Sequence, residues 1–212
     1  MTRGKFITIE GTEGAGKSTA LKFIQDYFLQ TGKEVVLTRE PGGTMIGEEI
    51  RNVLLHTASN EIMQPETELL LMFAARVQHV SQKILPALSA GKWVVSDRYI
   101  DASYAYQGGG RGISHHHIHR LDRLVVGHIY PDLTLLLDVP AELGMMRAEK
   151  RGARKDRIEQ ERMDFFVRVR NAYLERAKQE PKRIKIIDAS KSLVDVQEQL
   201  RHTLTEFLAE NK

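Results

Sequence analysis

The run Gly11-Thr12-Glu13-Gly14-Ala15-Gly16-Lys17-Ser18 fits the pattern G-x-x-x-x-G-K-[ST] at every fixed position. Glycines at this spacing let successive backbone N–H groups turn inward around phosphate oxygens, and the helix that follows adds positive potential at its N-terminus. Lys17 is then placed to reach the β and γ phosphates of a nucleoside triphosphate, and Ser18 to offer a hydroxyl to Mg²⁺. A chance glycine-rich turn would meet the four fixed positions in a chain this long with odds of roughly one in a hundred. The motif marks a nucleotide phosphate site and is silent about what receives the phosphoryl group.

Three further constellations carry chemical possibilities. Asp97-Arg98 follows the apolar run Trp93-Val94-Val95-Ser96, where a buried strand should deliver an acidic residue close to the metal. The bland alternative, a capping or salt-bridged aspartate, loses ground once a phosphate loop and an adjacent arginine are present. Phe73 and Arg76 stand three apart on one helical stripe, pairing an aromatic ring with a guanidinium fork suited to a base and its carbonyl. Phe73 alone reads as core, whereas Arg76 among Leu69, Leu70, Val77 and Val80 is hard to place in a core unpaired. Arg147, Arg151, Arg154 and Arg157 form a loose cluster that is either a solvated helix face or a phosphate clamp. His115, His116, His117 and His119 lack an accompanying carboxylate pattern and fall at a helix start, which favours solvated surface over metal.

Positioning these groups requires alternating strands and helices, hence a parallel sheet covered on both faces. Strands are expected at Phe6 to Ile9, Glu34 to Thr38, Trp93 to Ser96, Leu133 to Leu137 and Ile184 to Ile187. Helical spacing of Leu21, Ile24 and Phe28 predicts a helix from Lys17 to about Gln30, stopped by Gly32. Thr44 can cap a helix carrying Ile46, Ile50, Val53 and Leu54, and Pro65 opens a long one reaching Leu88 before Gly91. Further helices are expected over Ser114 to Val126, over Ala141 to Lys150, along Met163, Phe166, Arg170, Tyr173 and Ala177, and along Leu193 to Leu208. No repeat, linker or low-complexity segment breaks the 212 residues, so one domain is expected over 1–212, with a short lid at about 151–157.

Composition narrows the class of protein. With 42% apolar and 28% charged residues the chain is a folded globular protein. Its 31 Lys plus Arg against 28 Asp plus Glu, net +3, is too small an excess to demand a nucleic-acid partner. The absence of cysteine excludes disulfides and thiolate metal sites and fits a reducing compartment, so the cytoplasm is the expectation. The first apolar stretch is too short for a signal peptide or a membrane span.

Taken together, Thr38-Arg39-Glu40-Pro41-Gly42-Gly43-Thr44, Phe73-Ala74-Ala75-Arg76, Asp97-Arg98-Tyr99, Ala105-Tyr106-Gln107-Gly108 and Asp156-Arg157-Ile158-Glu159 resemble the bacterial thymidylate kinases, over nearly the whole chain. The resemblance implies a P-loop kinase fold with ATP on residues Gly11 to Thr19 and beside Arg147, and with Mg²⁺ held by Ser18 and Asp97. It implies thymidine monophosphate with its base on Phe73, its O4 near Arg76, and its edge near Ser103 and Gln107. Tyr106 closes the sugar side, and Glu13 accepts the 3′-hydroxyl. Arg98 holds the acceptor phosphate, with Arg39, Pro41 and Arg51 as neighbouring contacts. A phosphate loop without arginine, followed by Asp156-Arg157, resembles members whose catalytic arginine lies in the lid, making Arg151 and Arg157 the favoured catalytic pair beside Lys17, Asp97 and Arg98. A homodimer packed through helices is also implied. Two alternatives stay open: a kinase for another small acceptor, such as a different nucleotide or shikimate, and a GTPase-type switch. The switch is opposed by the lack of an Asn-Lys-x-Asp tetrad and of an Asp-x-x-Gly segment.

Overall fold

The computed structural model describes residues 3–56, 61–150, 152 and 155–210. All five expected strands form: β1 (Phe6–Glu10), β2 (Val35–Arg39), β3 (Trp93–Asp97), β4 (Leu133–Asp138) and β5 (Ile184–Asp188). They pair in parallel in the order β2-β3-β1-β4-β5. The chain leaves β1 toward one side of the sheet and returns on the other, so the end of β1 is the switch point at which α/β sheets bind ligands. Register sets Ile9 of β1 beside Asp97 of β3, which brings the glycine-rich run and Arg98 together at the carboxyl ends of these two adjacent strands.

The three central strands, β1, β3 and β4, are buried on both faces, as a parallel sheet with helices above and below requires, while the edge strands β2 and β5 are partly exposed. Ile7, Ile9, Val95, Leu135 and Leu137 pack with Ile24 and Phe28 of α1 (Lys17–Gln30) and with Leu200 and Leu204 of α9 (Leu193–Glu210). Burial of each such side chain stabilises the fold by roughly 1.5–3 kcal/mol. Phe6, Thr8 and Glu10 alternate onto the opposite face, where the Thr8 and Thr134 hydroxyls pair at 2.7 Å.

That second face packs against helices that lie between β2 and β4 in the chain. Thr44 caps α2 (Met45–Leu55) by accepting from the Gly47 N–H, as its type predicts. The long helix begins at Pro65 as α3 (Pro65–His79), widens through a π-helical turn at Val80–Ile84, and continues as α4 (Leu85–Ser89). Pro86 explains the widening: it lacks an N–H and its ring crowds the preceding turn. The segment after β3, for which no element is expected, is also helical, as α5 (Ile100–Ser103) and a π-helical run Tyr104–Gly110 that ends in three glycines of low helix propensity. Those glycines are required by packing: a Cβ on Gly109 would meet the Ala172 methyl at 2.5 Å, and one on Gly110 the Phe165 ring at 2.4 Å. Both neighbours belong to α8 (Met163–Gln179).

Ser114 caps α6 (His115–Val125), whose exposed first turn carries His115, His116 and His117. After β4, α7 (Ala141–Glu149) leads toward α8, which buries Phe166, Tyr173 and Ala177 as expected but leaves Met163 at the surface. No helix among the described residues is long and apolar enough to cross a membrane.

Candidate active site

Gly11, Gly14 and Gly16 all have positive φ, at 141°, 71° and 90°. At Gly14 the requirement is double, since a Cβ would lie 1.8 Å from the Gly144 carbonyl oxygen. Gly16 caps α1 with no side-chain hydrogen bond, and the first turn of α1 carries no acidic residue, so its free N–H groups and dipole are left for an anion. Lys17 Nζ donates to the Gly11 and Thr12 carbonyls at 3.0 Å each. Burial and then the Arg98 charge pull its pKa down to about 8, against the opposing pull of Asp97, Glu13 and Glu10.

The loop opens onto a cleft of about 510 Å³ whose other wall carries Arg39, Arg51, Asp97 and Arg98. Arg98 Nη2 donates to Glu13 Oε1 at 2.5 Å and to the Tyr106 hydroxyl at 2.8 Å, and its guanidinium lies 4.8 Å from the Tyr106 ring centre. Tyr106 in turn donates to Glu13 Oε2 at 2.6 Å. Burial works against a charge on Glu13, but Arg98, Lys17 and these hydrogen bonds outweigh it and hold the carboxyl below its usual range. Arg39 pairs with Glu48 at 2.8 Å, and Arg51 donates to the Pro41 carbonyl at 3.0 Å, which fixes both beside Arg98.

Asp97 Oδ1 is buried with no hydrogen-bond partner among the described residues, and Ser18 lines the same cleft. An unsatisfied carboxylate oxygen and a hydroxyl are hard donors suited to Mg²⁺. No group of three His, Cys, Asp or Glu that could hold a metal occurs among the described residues.

Three expectations need correction. Phe73 is turned into the cluster of Phe6, Leu69 and Tyr99, with the Arg76 guanidinium 4.8 Å from its ring centre. Its stacking face is already occupied; one residue earlier, Met72 is the α3 side chain that joins Leu54, Ala102 and Tyr106. Arg76 is 2% exposed yet not unpaired. Its Nε donates to Glu40 Oε2 at 2.7 Å, Nη1 to Ser103 Oγ at 3.0 Å and Nη2 to the Tyr99 carbonyl at 2.9 Å. The core can hold this guanidinium because Glu40 supplies the counter-charge. Arg157 donates to the Leu54 carbonyl at 2.8 Å and to Glu68 Oε2 at 2.6 Å, and it does not line the cleft. From that segment Asp156 and Glu159 do. Arg151 lies outside the described residues, as does Arg154.

Gln107 is buried and donates to Glu68 Oε1 at 2.8 Å, leaving its own Oε1 without a partner among the described residues. Arg147 lines the cleft and donates to the Ala189 carbonyl at 2.6 Å. It also lines an adjoining pocket of about 170 Å³ with Ala15, Thr19, Leu193 and Val196. Glu40, Glu68 and Arg111 were not anticipated as site residues. A signal was present on α3, where Glu68, Met72 and Arg76 recur every four residues: polar groups on a buried stripe need partners elsewhere in the chain.

A phosphate loop at the switch point of a parallel sheet, facing a wall of arginines across one cleft, defines a P-loop kinase, a phosphotransferase built to hold two phosphate-bearing substrates. The thymidylate kinase family model matches residues 9–200. The chain is 59% identical over 201 residues to a thymidylate kinase of Ruthia magnifica subsp. Calyptogena magnifica, covering 95% of this chain and 97% of the relative. It is 53% identical over 205 residues to one of Pseudomonas syringae pv. tomato, covering 97% of each. The crystal structure of thymidylate kinase from Ehrlichia chaffeensis aligns with a TM-score of 0.78 at 34% identity, over 96% of this chain and 99% of that one. The chain belongs to the thymidylate kinase family.

Proposed function

We propose that the chain transfers the γ-phosphoryl group of ATP to thymidine monophosphate, giving thymidine diphosphate for dTTP synthesis. The observation that carries this reading is the single cleft shared by the phosphate loop and by Arg39, Arg51 and Arg98. Two polyanions can face each other there with positive groups between them.

The loop amides and the Lys17 ammonium hold the triphosphate, and the apolar pocket beside Arg147 has the size and position for adenine. Arg98, steadied by Glu13 and Tyr106, holds the acceptor phosphate, with Arg39 and Arg51 around it. An acceptor phosphate oxygen is already nucleophilic near neutral pH, so alignment replaces a general base. Glu13 accepts the sugar 3′-hydroxyl, while Arg76, Ser103 and Gln107 stand at the base end and Met72 takes the packing position expected of Phe73. Ser18 and Asp97 would hold Mg²⁺, whose contribution is to neutralise charge on the β and γ phosphates. A lid arginine, with Arg151 the remaining favoured candidate, covers the moving group, and the lid excludes water.

Leu70 and Val77, two turns apart on α3, and Leu124 on the neighbouring α6 are solvent-exposed. This apolar face supports a homodimer packed through helices. The absence of cysteine and the charged nucleotide substrates support a cytoplasmic enzyme. A coupled assay offering ATP with each nucleoside monophosphate and with shikimate tests the substrate. Thymidine monophosphate should be preferred, and strong preference for any other acceptor would overturn the reading.

A further inference from the structure

Arg98 has φ 69° and is the only non-glycine residue with positive φ among the described residues. A long side chain in the left-handed region is strained by on the order of 1–3 kcal/mol and persists only where its surroundings over-determine it. Three hydrogen bonds bracket the turn. The Arg98 N–H donates to the Ile9 carbonyl at 2.9 Å, and the Arg98 carbonyl accepts from Ser96 Oγ at 2.8 Å. The next N–H, that of Tyr99, donates to Glu10 Oε1 at 2.8 Å. The first two are made by the sheet backbone and by a local hydroxyl. The third is supplied by a buried side chain on β1.

Glu10 is fully buried at the end of β1, on the sheet face turned toward α8, where its Oε2 accepts from the Tyr173 hydroxyl at 2.7 Å. It does not line the cleft. The neighbouring Asp101 is also acidic and draws its own counter-charge from Arg176 and Arg183, at 2.9 and 2.7 Å. A carboxylate kept here against burial and a like charge accepts from two donors, the Tyr173 hydroxyl and the peptide N–H that follows the strained residue.

We infer that Glu10 is a positioning residue: by accepting the Tyr99 N–H it locks the left-handed turn at Arg98 and so aims the guanidinium into the cleft. The effect on substrate rests on the reading of Arg98 as the acceptor-phosphate clamp.

The test compares Glu10→Met, which keeps volume and loses both acceptor oxygens, with Glu10→Gln, which retains one oxygen for the Tyr99 N–H, in the full chain at pH 8. Glu10→Met should raise KM for thymidine monophosphate about tenfold, with KM for ATP within about twofold of wild type. Glu10→Gln should return the acceptor KM to within about threefold. In an Arg98→Ala background, Glu10→Met should add less than about twofold. A crystal structure of Glu10→Met should show φ at residue 98 outside the left-handed region. An unchanged acceptor KM, an equal rise in both KM values, a glutamine variant as impaired as the methionine one, or φ held near its present value would each overturn the inference. Should Glu10→Met not fold, Glu10→Gln decides: a tenfold rise in acceptor KM with the Tyr99 hydrogen bond intact in its crystal structure would overturn it. Wild-type protein inactive on thymidine monophosphate would refute the proposed function instead, and φ at residue 98 would still report on Glu10.

Discussion

The two walls of the cleft are built by opposite means. The phosphate-loop wall is made of contiguous residues and presents backbone N–H groups at the start of α1, so glycine positions and one lysine specify it almost completely. The acceptor wall is made of side chains from β2, α2, α3, the end of β3 and the π-helical run. It is held by buried pairings such as Glu13 with Arg98 and Glu40 with Arg76. A backbone-built site can be recognised from a short string, whereas a side-chain site depends on partners that lie far apart in the chain.

The largest expected effect tests whether the walls act separately. Lys17→Ala should lower kcat by about 10³-fold or more while leaving the fold intact, because it removes the phosphate loop's own side-chain charge. Thymidine monophosphate binding measured by calorimetry should be nearly unchanged. Arg98→Ala should do the reverse in binding, weakening the acceptor by at least about tenfold with ATP affinity retained. If Lys17→Ala abolished acceptor binding, or Arg98→Ala abolished ATP binding, the division into two walls would fail.

The second effect lies in stability and belongs to the acceptor wall alone. Glu40→Ala leaves the Arg76 guanidinium buried without a carboxylate and His79 without its 2.8 Å partner, which should cost about 3–5 kcal/mol in denaturant unfolding. Replacing Glu40 and Arg76 together by leucine should cost much less, since the penalty comes from the orphaned charge. Equal losses in the two variants would show that the pair itself, and not the orphan, stabilises the fold.

Much of the sheet and the loop wall was legible because their determinants are local. Strand runs, the Thr44 cap and the positive-φ glycines each act within a few residues of where they stand. The acceptor wall was legible only in its residue types. Arg98 and Tyr106 fall in the cleft, but the orientation of Phe73 turns on a rotation of about 100° per helical residue, and α3 spends that position on the core. Arg157 and Gln107 meet at Glu68, a pairing that spans 89 and 39 residues respectively. The helix over Ile100–Gly110 was hidden because three successive glycines have low intrinsic propensity, and only contact with α8 reveals their use. Gly109→Ala should therefore cost about 1–3 kcal/mol through overpacking against Ala172, although alanine favours a helix. A stabilised variant would show that propensity, and not packing, governs this run.

The smallest effect follows Glu10, a carboxylate behind the cleft that ties the end of β1 to the turn at Arg98. Burial, followed by the charge of Asp101, raises Glu10 from an ordinary 4.5 to about 7, against the hydrogen bonds from Tyr173 and the Tyr99 N–H. Between these values the folded chain retains a proton that the unfolded chain has released, so the folded state binds more protons and Glu10 lowers stability as pH rises through that window. Below about pH 4.5 both states hold the proton, and above about 7 neither does, so the loss is complete there. Glu10→Gln removes this titration while keeping shape. Its melting temperature relative to wild type should rise by a few degrees between pH 5 and pH 8. Acid-sensitive groups such as Glu13 are common to both proteins and cancel in the difference. A difference that stays flat with pH would mean Glu10 ionises at its ordinary value, with the peptide N–H after Arg98 and the Tyr173 hydroxyl offsetting the whole cost of burial. The tie between β1 and the Arg98 turn would then be stronger than the burial of its carboxylate implies.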